Sequence, residues 1–230
     1  MHFFYSKNIV DKYIILENQE MKHCTNVLRK KINDLVNVVD GKGIIFKCKL
    51  IEINSDNCKL LILNKIKRPR NTNIHLCIAP TKNHKRIEWM VEKIVEIGID
   101  KITFMICTNS IRTSVNLKRL NKIALSAMKQ AQSAYLPKIT QCTSFKTVLE
   151  QDCSKHKYIA HLNNDKIIFL NKTKKIKTSI CILIGPEGDF TKEEINYSLD
   201  KEFIEVSLGN TRLRTETAGI VSVTMLNNNE

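Results

Sequence analysis

No run in the chain approaches the roughly 18 consecutive apolar residues of a membrane-spanning helix. The N-terminal stretch MHFFYSKNIVDKY lacks a basic region followed by a long apolar one, so no signal peptide is expected. None of the eight cysteines forms a C-x-x-C pair, and His156 and His161 have no ligand partner near them in sequence, so no metal site is expected. Cys77, Cys107 and Cys181 sit inside apolar, strand-like runs. They read as reduced, buried thiols of a cytoplasmic protein. There is no G-x-G-x-x-G and no Walker motif, which excludes the common dinucleotide and nucleoside-triphosphate loops. Internal repeats are absent. Arginine is scarce, 8 against 29 lysines. Each arginine is therefore worth locating, because guanidinium offers a planar, bidentate fork that lysine does not.

What the chain does have is positive charge and room for a core. Its 230 residues suit one large or two small domains, and 43% are apolar. Lys and Arg number 37 against 23 Asp and Glu, a formal charge of +14. A polyanionic partner is implied, with RNA or DNA first. Residues 1–70 carry 14 basic and 7 acidic residues, the denser share of that charge.

Short β-like runs fill this N-terminal part: Tyr13–Leu16, Leu35–Val39, Gly43–Ile53 and Lys59–Asn64. Asp40-Gly41-Lys42-Gly43 is a hairpin turn signal between two of them. Strands this short and this closely spaced suggest a small β-barrel over residues 1–70. His23-x-x-x-Val27-Leu28-Arg29 falls in an expected short helix, Gln19–Lys30. Lys65–Asn73, polar, basic and broken by Pro69, reads as a linker. From residue 71 onward strands and helices alternate, the pattern of a parallel α/β sheet. Strands are expected at Ile74–Ala79, Ile102–Cys107 and Lys157–Leu162. Helices are expected at Ile87–Ile97, stopped by Gly98, and at Leu117–Ala134.

The most informative stretch is Ile180–Val223. Ile180–Ile184 is an unbroken apolar run, as in a fully buried parallel strand. Gly185-Pro186-Glu187-Gly188 breaks it, and the glycines let the backbone turn and offer its own polar groups to a ligand. Thr191 with Glu194 three residues on forms a capping-box pattern for the next helix. Phe203–Leu208 is a second apolar strand, followed by Gly209-Asn210-Thr211-Arg212-Leu213-Arg214. A last helix opens at Thr215-Glu216-Thr217-Ala218 and runs to Leu226. Two strands that both end in a glycine loop describe a ligand crevice at the C-terminal edge of an open α/β sheet.

GPEGDF followed by LGNTRLRTETA resembles the signature of the RsmE-type ribosomal RNA methyltransferases of the SPOUT superfamily. Lys82-x-x-x-Arg86-x-Glu88, with Glu92-Lys93, Glu96 and Gly98, is similar to a further segment of that family, and the segment from His23 to Arg29 to another. The resemblance covers essentially the whole chain. It departs from the family at Asn33, where Gly is usual, and at Lys129, Ala131 and Ser133. What it implies is a C-terminal methyltransferase domain (71–230) with a deep trefoil knot, a PUA-like RNA-binding barrel (1–70), and S-adenosyl-L-methionine as cofactor. It implies methylation of N3 of a uridine in 16S ribosomal RNA of the small ribosomal subunit, and a homodimer, which the apolar last helix also favours. A ribose 2′-O-methyltransferase of the same superfamily and a non-catalytic RNA-binding assembly protein are the alternatives.

On this reading the cofactor contacts are His161, Leu162, Ile184, Gly185, Pro186, Glu187, Gly188, Leu208, Gly209, Leu213, Thr217 and Ala218. RNA contacts are His23, Arg29, Lys30, Lys82 and Arg86. Uridine N3 carries a proton at neutral pH. Its methylation needs that proton removed, or the charge developing on O2–N3–O4 stabilised by a cation. Arg214 is the first candidate and Arg212 the second. Glu216 is the nearest acid, although a helix N-terminus gives a carboxylate a capping role of its own.

Overall fold

The computed structural model describes residues 2–70, 72–162, 168–173 and 178–227. The chain forms two compact units, Met1–Arg70 with Leu125–Leu136, and Asn71–Ala124 with Pro137–Glu230.

The first unit is a sheet of β1 (Phe3–Tyr5), β2 (Ile9–Val10), β3 (Tyr13–Glu17), β4 (Leu35–Val39), β5 (Ile44–Ile53) and β6 (Asn57–Lys67). The order is β1-β4-β5-β6-β3-β2. Only the β1–β4 pair is parallel. Alternate residues face one core: Ile14 and Leu16, Val36 and Val38, Cys48 and Leu50, Cys58 and Leu60, closed by Phe4 and Cys24. The Asp40–Gly43 turn joins β4 to β5, with Gly41 at φ 74° and Gly43 at φ 104°. A Cβ on Gly43 would lie 2.4 Å from Tyr135 Oη, so this position needs glycine twice over. That closeness explains why residues 125–136, which the sequence reading put in the second domain, fold with the first unit. Gly43 N–H donates to Ala134 O (3.0 Å) and Leu136 N–H to Gly41 O (3.0 Å).

The expected helix Gln19–Lys30 is shorter and less regular. Helix α1 (Asn18–Lys22) widens into a π turn, His23–Val27. Arg29 (φ 51°) and Asn33 (φ 79°) are left-handed, so Asn33 does the backbone work of the family's glycine. The linker is also shorter than read, because β6 continues to Lys67 and the next strand begins at Asn73.

From there follow β7 (Asn73–Ile78), α2 (His84–Ile97), β8 (Lys101–Ile106), α3 (Leu117–Gln130), β9 (Lys138–Ser144), α4 (Phe145–Gln151) and β10 (His156–Ala160). The remainder is β11 (Ile168–Phe169), β12 (Ser179–Ile184), α5 (Lys192–Asp200), β13 (Ile204–Ser207) and α6 (Thr215–Asn227). The sheet order is β11-β13-β10-β12-β7-β8-β9, all parallel. β12 is buried from Ile180 to Ile184, as expected of an apolar run covered on both faces. Burying side chains such as Leu76, Ile78 and Leu183, each at most 1% exposed, stabilises by ~1.5–3 kcal/mol apiece.

Helix α2 starts at Asn83, whose side chain accepts from Lys85 N–H, and stops at Gly98 (φ 113°). It buries Ile87, Met90, Val91, Ile94 and Val95. Helix α6 lies along it and is pinned at both ends. Arg86 Nε is 3.5 Å from Glu216 Oε1 at the start, and Asn227 Nδ2 donates to Gly98 O (2.8 Å) at the finish. Gly219 lets the helix approach closely, since a Cβ there would lie 3.0 Å from Ile78 Cδ1 and 3.1 Å from Met90 Sδ. Among the described residues no helix is long and apolar enough to cross a membrane.

Candidate active site

A cleft of about 440 Å³ opens at the C-terminal ends of three adjacent strands, β13, β10 and β12. Each contributes a loop.

The loop after β12 is fixed from several sides. Gly185 is needed for space, because a Cβ there would meet the Phe190 ring at 3.1 Å. Asp189, left-handed at φ 61°, accepts from Phe190 N–H (2.8 Å) and from Leu162 N–H (3.0 Å). It thereby ties this loop to the end of β10. Asn109 Nδ2 donates to Gly188 O and Asp189 O. The expected capping box is present: Thr191 Oγ1 accepts from Glu194 N–H (3.2 Å), and Glu194 Oε2 from Thr191 N–H (3.0 Å). It anchors α5 directly behind the loop.

In the loop after β13, Gly209 has φ 151° and nothing lies within 4 Å of where its Cβ would be. Glycine here serves the backbone conformation, not space. At the end of β10, His161 Nε2 is 2.8 Å from Glu205 Oε1. The rest of the expected β10 loop, 163–165, lies outside the described residues.

Of the sequence-derived residues, His161, Leu162, Ile184, Gly185, Pro186, Glu187, Leu208, Gly209, Leu213, Ala218, Arg212 and Arg214 line the cleft together. Gly188, Thr217 and Glu216 do not line it. Gly188 is turned toward Asn109, 3.2 Å from its potential Cβ. Glu216 is buried against Arg86, and among the described residues its Oε2 has no hydrogen-bond partner. Arg86, expected at RNA, also lines the cleft. Lys82 is exposed nearby, and its N–H donates to Glu187 Oε1 (2.9 Å). The remaining RNA candidates belong to the first unit. His23 packs at 5.6 Å from the Phe4 ring, Lys30 Nζ is 4.0 Å from Asp34, and Arg29 is exposed. Ala160, Asp189, Ser207, Thr211 and Thr215 complete the lining and had no assigned role. Asp189, Thr211 and Thr215 left a trace in the sequence, as the D of GPEGDF and the first two threonines of LGNTRLRTETA.

The three arginines of the cleft differ in freedom. Arg86 is paired to Glu216. Arg212 Nη2 donates to Glu187 O (3.3 Å). Arg214 is exposed on the cleft wall, and among the described residues its guanidinium has no hydrogen bond or ion pair. Its carbonyl accepts from Ala218 N–H (2.8 Å), fixing the backbone at the start of α6. Both carboxylate oxygens of Asp189 and one of Glu187 are engaged by backbone N–H groups. The cleft thus offers an unengaged cation and no unengaged aspartate.

A parallel α/β sheet with a ligand-sized cleft between glycine loops at its C-terminal edge defines a small-molecule-binding α/β protein. The family model described as an RNA methyltransferase domain matches residues 68–227. A second, described as an RNA methyltransferase PUA domain, matches residues 16–63. Ribosomal RNA small subunit methyltransferase E of Buchnera aphidicola subsp. Acyrthosiphon pisum is 29% identical over 225 residues, covering 94% of this chain and 88% of that protein. A probable rRNA-methyltransferase from Porphyromonas gingivalis superposes with a TM-score of 0.88 at 33% identity, covering 97% of this chain and 95% of that one. The Neisseria gonorrhoeae ribosomal RNA small subunit methyltransferase E, solved bound to S-adenosyl methionine, does so with a TM-score of 0.86 at 25% identity, covering the same shares. The chain belongs to the RNA methyltransferase family, with a PUA-like domain at its N-terminus.

Proposed function

We propose that this protein uses S-adenosyl-L-methionine to methylate N3 of a uridine in 16S ribosomal RNA. The observation that carries the reading is the unengaged Arg214 guanidinium at a cleft built from two glycine loops. The named relatives support the ribosomal substrate, and the Neisseria structure supports the cofactor. The cleft suits that cofactor. Its volume of about 440 Å³ lies within the ordinary range for small-molecule sites. Apolar walls from Leu162, Ile184, Leu208 and Leu213 stand beside backbone groups of the loops, a mixture suited to a nucleoside. Bound there, S-adenosylmethionine supplies a methyl group already activated by its sulfonium.

The protein's task is then to orient the base and manage one proton. The N3–H proton leaves to solvent as the N3–methyl bond forms and the sulfur–methyl bond breaks. Arg214 faces the charge that develops on the uracil oxygens. Arg212 holds Glu187 O and shapes the loop. Glu216 serves Arg86 and the start of α6, which leaves it a positioning residue and not a base.

The same reading includes the knot, the two-domain division of labour and the dimer. Strand order supports the threading: β13 lies between β10 and β11, which follow one another along the chain. The charge of residues 1–70 and the PUA match support RNA binding there. Ile220, Val221 and Met225 leave a half-buried apolar face on α6, which suits a second copy of the chain. Eight unpaired cysteines suit the reducing cytoplasm. The test is mass spectrometry of nucleosides from naked 16S RNA and from small subunits after incubation with protein and cofactor. 3-Methyluridine is expected. A 2′-O-methylated nucleoside would establish the ribose alternative, and no methylation with intact RNA binding would establish the non-catalytic one.

A further inference from the structure

The cleft stands over β13, β10 and β12, and the next strands along the same C-terminal edge are β7 and β8. There a second cavity, of about 600 Å³, lies between the first turn of α2, the connection from β8 to α3 and the first turn of α3. All of its lining belongs to the second unit. The floor is apolar, from buried Ile87 and Leu120 and half-buried Val115. Arg112, Arg119 and His84 stand on its walls with Ser114 and Asn116, and among the described residues Glu88 is the one acid of the lining. The methyl transfer proposed above uses none of these side chains.

Both arginines are held in place. Arg119 Nε and Nη2 donate to Glu88 Oε2 (3.2 and 3.1 Å), yet the Arg119 side chain stays 58% exposed. An anchored, planar cation of this kind is a stacking surface for a nucleobase. Arg112 Nε donates to Thr81 O (3.2 Å) and its Nη2 to Lys82 O (2.7 Å). Lys82 N–H in turn donates to Glu187 Oε1 (2.9 Å), in the loop after β12. One residue thus joins the cavity wall to the cleft, and Arg86, two residues on from His84, lines the cleft itself.

We propose that this cavity binds an unpaired nucleotide of the ribosomal RNA beside the target uridine, its base stacked on Arg119 and its phosphate held by Arg112. The site so assigned rests on the uridine N3 reading above, because N3 lies on the Watson–Crick edge and the target must leave its pair and its stack to be methylated. The neighbouring base then loses a stacking partner, and a second site that receives it holds the strand splayed. Single-stranded RNA is recognised by cationic walls for the backbone together with planar groups for the bases; the cavity has both, which selects RNA over an acidic peptide. Its volume suits a ligand of nucleotide size. Ser114 and Asn116 bring a hydroxyl and an amide to the edge of a base lying on the apolar floor.

The test measures the affinity of the full-length protein for 16S RNA, with transfer RNA as competitor, beside cofactor affinity and Tm. Arg119→Ala should weaken RNA binding by on the order of tenfold and leave cofactor affinity and Tm unchanged, since an exposed ion pair adds little stability. Arg119→Trp supplies a stacking face without charge and should recover most of the loss. Arg119→Lys keeps the charge without the face and should recover little. Ser114→Glu, at an exposed position, puts a carboxylate in the cavity and should also weaken binding. Gln151→Glu, the same change of charge at an exposed residue of the opposite sheet edge, should not. Unchanged RNA affinity in Arg119→Ala or in Ser114→Glu would overturn the proposal. So would rescue by lysine and not by tryptophan, the mark of a plain surface charge, or equal weakening by Gln151→Glu. Nucleoside mass spectrometry separates the two readings. 3-Methyluridine from a wild type whose RNA affinity ignores Arg119 refutes the cavity alone; Arg119-dependent binding without 3-methyluridine refutes the uridine N3 reading alone.

Discussion

Replacing Arg214 with alanine tests the proposed chemistry most directly, because among the described residues its guanidinium has no structural partner to lose. It is exposed on the cleft wall, and among the described residues it makes no ion pair with Glu187 or Glu216. Glu216 is committed to Arg86, and Glu187 Oε1 to Lys82 N–H. An exposed, unpartnered side chain changes folding stability by roughly 0.5 kcal/mol or less when truncated. Removing one preorganised donor from a transition state costs on the order of 10²–10³ in turnover, ~2.7–4 kcal/mol. The two magnitudes are far enough apart to decide the role. Arg214→Ala should lower single-turnover methylation by that factor while calorimetric titration shows cofactor affinity within a few-fold of wild type. Arg214→Lys keeps the charge but not the planar fork, so its rate should fall between the two. Arg212→Ala is the internal contrast. That side chain holds Glu187 O, so its loss should weaken cofactor binding as well. A parallel fall of cofactor affinity, Tm and rate in Arg214→Ala would refute the transition-state role and make Arg214 a loop pin.

The Arg86–Glu216 pair should respond asymmetrically. Arg86→Ala strands a carboxylate whose side chain is 7% exposed and should cost on the order of 3 kcal/mol in urea unfolding. Adding Glu216→Gln should restore most of it, and failure to do so would show that the pair is not what Arg86 contributes. Gly219→Val drives two methyl groups into Ile78 and Met90 and should cost roughly 1–3 kcal/mol; an unchanged Tm would contradict the close approach of α6. Arg29→Ala should weaken binding of 16S RNA and reduce the salt slope of log affinity by about 1, and an unaltered slope would remove Arg29 from the interface. In the folded protein, burial pushes the Cys24 thiol up to about 11 and Cys48 up to about 12. Alkylation at mildly alkaline pH should therefore modify exposed Cys153 first and spare both; early labelling of Cys48 would disprove its burial.

Features set by local chemistry were legible in the sequence. The run Ile180–Ile184 with its glycine break, the Thr191–Glu194 box, the apolar stripe of α2 and the Asp40–Gly43 hairpin all follow from neighbours a few residues apart. β9 and α4 were not legible. The strand KITQCTS is mostly polar, and the helix has only seven residues, too few for a period to show. Pairings between distant residues left still less signal. Arg86 read as a cation for RNA, and nothing near it in sequence showed that α6 would bring Glu216 beside it. Cys77 and Cys181 stand 104 residues apart, and only the register of β7 against β12 makes one cluster of two buried thiols and a histidine. Lys129 is the instructive case among the departures from the family pattern. Read alone, it reverses a charge where glutamate is usual. In the folded chain it forms an ion pair with Glu20, whose other oxygen accepts from Tyr5 N–H (3.0 Å). The substituted position therefore has a partner within the first unit, which ties residues 125–136 to α1 and, through Glu20, to β1. A charge reversal that acquires such a partner is evidence about packing, and it subtracts nothing from the cleft, whose two glycine loops lie entirely in the second unit.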